Sequence, residues 1–338
     1  MRRVALTRRS PRGIIRGLMT PSLILPHRLE PGATVALVAP ASPPPDPAII
    51  DDSLAALTAQ GFRVLPGRHL RARQGFLAGT DRQRAGDLMR AFRDPRVRAI
   101  FCLRGGYGTT RLLPLLDYSV IRDHPKILVG YSDITALHCA ILQRAGLLTF
   151  HGPMLASELN RENYPAFSRA SWQRTLMQPV PPGSICQGGP PGSVAVVRRG
   201  RAEGQLIGGN LSLLCALLGT PWQPDFRGRI LFMEDVGEAP YRLDRLLTHL
   251  HAAGVLAQVA GVAVGVCHNC LDPRATVGGE YRQSVADVLR ERLSPLRVPV
   301  VVGLPFGHVP HNATLPVGGH ALLDARGGDL LLTRPAVT

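Results

Sequence analysis

Residues 97–103, VRAIFCL, limit the fold more than any other stretch of this chain. The run is strand-sized and nearly all apolar, so the strand it forms must be covered on both faces. The neighbouring segments supply the helices that such a sheet needs. ATVALVAPAS (33–42) predicts a strand ending in a loop, where Pro43, Pro44, Pro45 and Pro47 block an early helix. AIIDDSLAALTAQG predicts a helix closed by Gly61, and FRVLPG a short second strand. TDRQRAGDLMRAFRD opens with a capping box, Thr80 and Gln83. TTRLLPLLDY reads as a short helix interrupted by Pro114; then come a strand at 127–130, a helix at 134–145 capped by Gly146, and the strand LLTF. Strands alternating with helices over residues 30–155 predict an α/β domain with a parallel sheet.

Four segments follow from this reading. Residues 1–28 are a basic leader, expected to be disordered or to lie upstream of a true start at Met19; residues 29–178 form the N-terminal domain. Residues 179–193, PVPPGSICQGGPPGS, are rich in Pro and Gly and predict a linker. Residues 194–334 form the second domain, with strands at 194–198, 229–233, 259–266 and 298–302, helices at 210–218, 240–253 and 280–293, and a closing hairpin around Gly327-Gly328.

The net charge of +15 invites a nucleic-acid or anionic-membrane partner. Its distribution argues against both. Residues 1–18 hold six arginines and no acid, and the other basic residues are scattered, Lys126 being the only lysine. No apolar run approaches the ~18 residues that a membrane span needs. The six cysteines imply no disulfide framework and fit a reducing cytoplasm. Cys267 and Cys270 in CHNC have zinc-knuckle or redox spacing, but no second ligand pair is visible, so no metal is expected.

Ser132 stands at the joint of strand and helix in KILVGYSDITALHCAILQRAG. Ligands of open α/β sheets bind at the carboxyl ends of strands. A Ser on a strand–turn–helix joint is also the arrangement of a nucleophile elbow, here with Gly130 two residues before it and Ile134 in place of the second glycine. The alternative is a helix N-cap, a role Asp133 could share. A nucleophilic Ser needs a base and an acid. The strand RILFME ends at Glu234, with Asp235 and Glu238 as rival carboxylates; the Gly/Pro-rich loop VGLPFGHVPHN carries His308 and His311. CLRGGYGTTRLL sets Gly-Gly-Tyr-Gly between a strand and a helix, lacks the G-K-[ST] of a phosphate loop, and suits an oxyanion hole.

With these pieces in order the chain resembles the LD-carboxypeptidases, a family that includes muramoyltetrapeptide carboxypeptidases and microcin-C immunity peptidases. VALVAPAS (35–42), LRGGYGTTRLLPLLDY (103–118), GYSDITALH (130–138), HGPM (151–154), GQLIGGNLSLL (204–214), LFMEDVGEAPYRLDRLL (231–247) and GHVPHNATLPVG (307–318) carry the resemblance, which spans nearly everything after residue 30. It implies a flavodoxin-like N-terminal domain and a smaller β-rich α/β C-terminal domain. It also implies a Ser-Glu-His triad falling on Ser132, Glu234 and His308, an oxyanion hole from the backbone of Gly106 and Asp133, no cofactor and a homodimer. The implied substrate is a cytoplasmic muropeptide that loses its terminal D-Ala. Arg104, Tyr107 and Asn210 are candidates to hold the terminal carboxylate, Asn210 being equally suited to cap a helix at 211–218. His151 is expected to bond a neighbouring carbonyl. An immunity-type peptidase acting on an acyl-linked nucleotide, where Trp172 could stack a base or equally be plain core, and a non-catalytic anion-binding protein are the alternatives.

Overall fold

The computed structural model describes residues 22–159, 164–190, 194–271 and 283–338. The sequence reading of residues 1–21, of the linker's 191–193 and of 280–282 in the last predicted helix falls outside them.

The N-terminal half alternates as its apolar runs require: β1 (Thr34–Val38), α1 (Ala48–Ala59), β2 (Arg63–Pro66), α2 (Asp81–Arg93), β3 (Val97–Cys102), α3 (Tyr118–Asp123), β4 (Ile127–Gly130), α4 (Thr135–Ala145), β5 (Thr149–His151) and α5 (Ala166–Met177). Thr80 accepts from the Gln83 amide and Gln83 returns the bond, which is the predicted capping box at the start of α2. Around Pro114 the chain makes two short 3₁₀ turns, Thr109–Arg111 and Leu113–Leu115, before α3 begins.

The second half continues with β6 (Gly183–Ser184), β7 (Ala195–Arg198), β8 (Arg201–Asn210), α6 (Leu211–Leu217), β9 (Ile230–Val236), α7 (Pro240–Ala252), β10 (Gly261–His268), α8 (Val285–Leu293), β11 (Val300–Val302), β12 (Leu315–Val317), β13 (His320–Asp324) and β14 (Asp329–Leu332). The first sheet has six strands in the order β12-β5-β4-β3-β1-β2, and the second has eight in the order β6-β14-β13-β8-β9-β10-β11-β7. Strands β1 to β5 are all parallel, and the order reverses between β1 and β3. That order is flavodoxin-like, with its crevice at the β1/β3 switch point. In the second sheet β8, β9, β10 and β11 are parallel and the flanking strands antiparallel.

Three features depart from the sequence reading. Residues 22–28, expected to be loose, are tied down: the Ile24 amide donates to Gly146 at 2.8 Å and the Arg28 amide to Thr338 at 3.0 Å. The expected linker contributes β6 to the edge of the second sheet. The C-terminal segment is not confined to its own domain, because β12 crosses back and pairs antiparallel with β5 at the edge of the first sheet. The two sheets are thereby joined at the loop that carries His308.

Candidate active site

The joint after β4 forms as a strained elbow. Ser132 has φ +62°, a left-handed value that a non-glycine residue rarely adopts and that costs about 1–3 kcal/mol. Glycines make room for it. A Cβ on Gly130 would fall 2.9 Å from Ile134 Cγ1, so Ile134 closes over the strand end where a second glycine would otherwise stand. A Cβ on Gly105 would fall 2.9 Å from Ser132 Cβ and 3.1 Å from its Oγ. The Gly-rich loop after β3 thus lies directly against the serine. Ser132 and Asp133 begin a 3₁₀ turn, so their amides have no acceptor within it.

Buried polar groups hold this loop to the elbow. The Asp133 carboxylate accepts from the Thr109 amide at 2.8 Å, and the Thr109 hydroxyl donates to the Asp133 carbonyl. Ser42, just past β1, accepts from the Tyr107 amide at 3.1 Å. Arg84, only 1% exposed, reaches from α2 to the Gly108 carbonyl at 3.0 Å and also donates to the Pro40 carbonyl. Beneath the elbow His138 spans the sheet, one ring nitrogen 2.8 Å from the Gly130 carbonyl and the other 2.9 Å from the Thr149 hydroxyl. The carbonyl accepts, so that nitrogen carries the proton and the second accepts from Thr149. Ser42, Arg84 and His138 were not singled out from sequence, although Ser42 and His138 lie inside the quoted motifs.

The second sheet brings the other two residues together. Glu234, on β9, is 1% exposed, and its Oε2 lies 2.6 Å from His308 Nδ1. Gly307, at φ +116°, permits the approach: a Cβ there would fall 3.0 Å from Glu234 Cβ and 3.1 Å from Oε2. The loop is fixed by Asn312, which accepts from the Gly307 amide at 3.1 Å, and by Ser168 and Ser171 of α5. Burial pulls the His308 imidazole down, but the bonded Glu234 carboxylate, aided by Asp235 and Glu158, outweighs it and leaves the ring above its ordinary 6.5. Burial pushes the Glu234 carboxyl up, and the bond from His308 holds it back. The imidazole packs edge-on against Tyr131, with ring centroids 4.8 Å apart, and so lies beside the residue that precedes Ser132. Among the described residues the Ser132 hydroxyl makes no hydrogen bond.

The other sequence candidates are placed as follows. Arg104 is half-buried and donates to the Pro43 carbonyl at 3.1 Å; Tyr107 is 50% exposed and meets Phe76 edge-on. Asn210 caps α6 through the Leu213 amide and donates to Asp235 at 2.9 Å, so both ends of its amide are engaged beside Glu234. His311 stands apart from the Glu234 pair, against Phe167. His151 bonds no carbonyl, contrary to expectation: it is fully buried among Tyr131, Phe232 and Phe306, and neither ring nitrogen has a partner among the described residues. Trp172 is buried against Phe62 and Phe101, a core position rather than a stacking platform. Cys267 and Cys270 are free thiols at the end of β10, and Cys270 bonds the His268 carbonyl.

Comparison with known proteins gives this site a context. Residues 35–152 match the LD-carboxypeptidase N-terminal domain and residues 203–323 the LD-carboxypeptidase C-terminal domain. A Bacillus subtilis protein named "Probable murein peptide carboxypeptidase" is 41% identical over 88% of this chain and 91% of its own. The crystal structure of muramoyltetrapeptide carboxypeptidase from Oxalobacter formigenes superposes with TM-score 0.75 at 32% identity, over 90% of this chain and all of that one. Microcin C7 self immunity protein MccF in complex with aspartyl sulfamoyl adenosine superposes with TM-score 0.82 at 26% identity, over 93% of this chain and all of that one. Two domain matches in the family's order, spanning both sheets, place this chain in the LD-carboxypeptidase family.

Proposed function

We propose that this serine LD-carboxypeptidase removes the terminal D-Ala from muropeptide tetrapeptides, with Ser132 as nucleophile, His308 as base and Glu234 as its orienting acid. The observation that carries the reading is the buried contact of 2.6 Å between His308 Nδ1 and Glu234 Oε2, packed beside the strained Ser132 elbow. The Glu234 carboxylate accepts a hydrogen bond from Nδ1–H, which leaves Nε2 unprotonated and able to accept the Ser132 proton. Ser132 Oγ then attacks the carbonyl that joins the L-centre of a diamino acid to D-Ala. The amides of Gly106 and Asp133 receive the developing oxyanion, each worth on the order of 100-fold in rate. The imidazolium passes its proton to the departing D-Ala nitrogen. Water, deprotonated by the same imidazole, attacks the acyl-enzyme; the acyl–Oγ bond breaks, the imidazolium returns its proton to Ser132 Oγ, and the tripeptide is freed. No step calls for a metal or cofactor.

Arg104 and Tyr107, on the loop beside Ser132, would hold the substrate's terminal carboxylate. Asn210 would act less directly, by holding Asp235 beside Glu234. We place the enzyme in the cytoplasm as a homodimer. Cysteines left as free thiols support the compartment.

Release of D-Ala from purified muramoyl-tetrapeptide, with Ser132→Ala as control, tests the reading. An active Ser132→Ala protein rejects the mechanism. A wild type inert on tetrapeptide but able to cleave an aminoacyl-sulfamoyl nucleotide moves the substrate to the immunity type, a reading that the MccF superposition favours and that the buried Trp172 does not assist.

A further inference from the structure

Tyr131 is buried against His308 and bonds Glu158 behind it, yet neither has a part in the proton transfers above. Tyr131 is 3% exposed, and its hydroxyl donates to Glu158 Oε1, while the Met154 amide donates to Oε2 at 2.9 Å. Glu158 lies in a single wide turn, Leu155–Leu159, whose Leu159 amide reaches back to the Met154 carbonyl. Such π-type turns recur at functional sites. This one is anchored by the Ala156 amide, 2.9 Å from the Leu103 carbonyl at the end of β3. Burying a carboxylate, 8% exposed here, is expensive, and a neutral amide would hold the phenol at lower cost. What the carboxylate adds is charge.

We propose that Glu158 is a positioning residue for the base: through Tyr131 it fixes the plane of the His308 ring, and its charge steadies the imidazolium that forms as Ser132 attacks. The inference rests on the Ser132–His308–Glu234 reading. The titratable groups facing His308 are Glu234 and Asp235 from β9, Glu158 from the wide turn, Tyr131 from the elbow and His151 from β5. Glu234 is bonded to the ring and dominates; Glu158 acts over a longer distance and contributes less. Burial first, and Glu158 next, push the Tyr131 hydroxyl well above its ordinary value, so it remains a donor at any working pH.

The test is the pH dependence of kcat/KM on tetrapeptide for the full chain carrying Glu158→Gln or Tyr131→Phe. A base acts when neutral, so the acidic limb reports the imidazole. Removing a nearby negative charge makes the imidazolium less stable, and Glu158→Gln is expected to move the limb to lower pH by about 0.5 to 1 unit. Tyr131→Phe keeps the ring contact and removes only the hydroxyl bond to Glu158; kcat is expected to fall by roughly tenfold through looser ring orientation, with a smaller move of the limb than in Glu158→Gln. A purely structural role predicts lower melting temperatures for both variants and an unmoved limb in Glu158→Gln, and that result overturns the proposal. Should Glu158→Gln not accumulate folded, NMR titration of His308 in wild type and Glu158→Leu decides, since leucine removes the charge and leaves no unmatched amide: an unmoved midpoint contradicts action by charge. Loss of Ser132 dependence, by contrast, rejects the underlying mechanism and not this inference alone.

Discussion

The two sheets position their halves of the site by different physical means. On the first, Ser132 is set by backbone geometry: a left-handed φ, a glycine before it, and a glycine loop packed against its Cβ. On the second, His308 is set by a buried polar pair, with Glu234 withdrawn from water and a bond of 2.6 Å between them. The difference fits the roles proposed for the two residues. A nucleophile must stand in one place with its oxyanion donors, which backbone strain can enforce. A base must hold one tautomer and stabilise one charge, which requires a carboxylate in low dielectric.

Substitutions that break one side and leave the other intact test this contrast. Ser132→Ala should reduce kcat by on the order of 10⁴- to 10⁶-fold with an unchanged unfolding transition, measured by D-Ala release and calorimetry. Glu234→Gln should cost on the order of 10⁴-fold. In the wild type the acidic limb of kcat/KM should have its midpoint above 6.5, because the Glu234 carboxylate outweighs burial at His308, and in Glu234→Gln it should fall. A midpoint that does not move would mean the pair contributes no charge stabilisation.

Gly105→Ala and Gly307→Ala probe the two sides symmetrically. Each adds a Cβ within about 3 Å of a site residue, and each should cost on the order of 100-fold in kcat through displacement of the reacting groups. Only Gly307, at φ +116°, should also lose about 1–3 kcal/mol in denaturant unfolding from backbone strain. Equal stability losses would erase the distinction.

The smallest effect concerns the support under the elbow. Burial holds His138 down at about 4, against the pull of its bond to Gly130. The unfolded chain takes up that proton near 6.5 and the folded chain does not. The contribution is therefore complete above about pH 6.5 and lost as pH falls toward 4, worth about 3 kcal/mol. Denaturant unfolding at pH 7 and pH 4.5 should show this slope, and His138→Gln should flatten it.

Much of the fold was legible because its signals are local. The VRAIFCL run, the Thr80 capping box and the Gly146 cap each act within a few residues, and all three appear where expected. Strand β8 was not legible. Its Gly204, Gly208 and Gly209 weaken strand propensity, yet they are required there: a Cβ on Gly208 would fall 1.8 Å from the Phe232 carbonyl oxygen, and one on Gly209 2.4 Å from Thr135 Oγ1. Trp172 was ambiguous for a related reason, since one aromatic residue fits a core and a binding platform equally well.

Read along the chain alone, the residues specify a strand–serine–helix joint, a glycine loop suited to an anion, and, through resemblance of whole motifs, which acid and which histidine to consider. Long-range packing alone shows that Glu234 and not Asp235 bonds His308, that Asp235 serves Asn210 and Ser212 instead, and that β12 returns to the first sheet to hold the His308 loop in place. The reason is physical. Propensity, capping and turn chemistry are settled among near neighbours, whereas the choice between adjacent carboxylates depends on which one the pleat of β9 turns toward a loop 74 residues away.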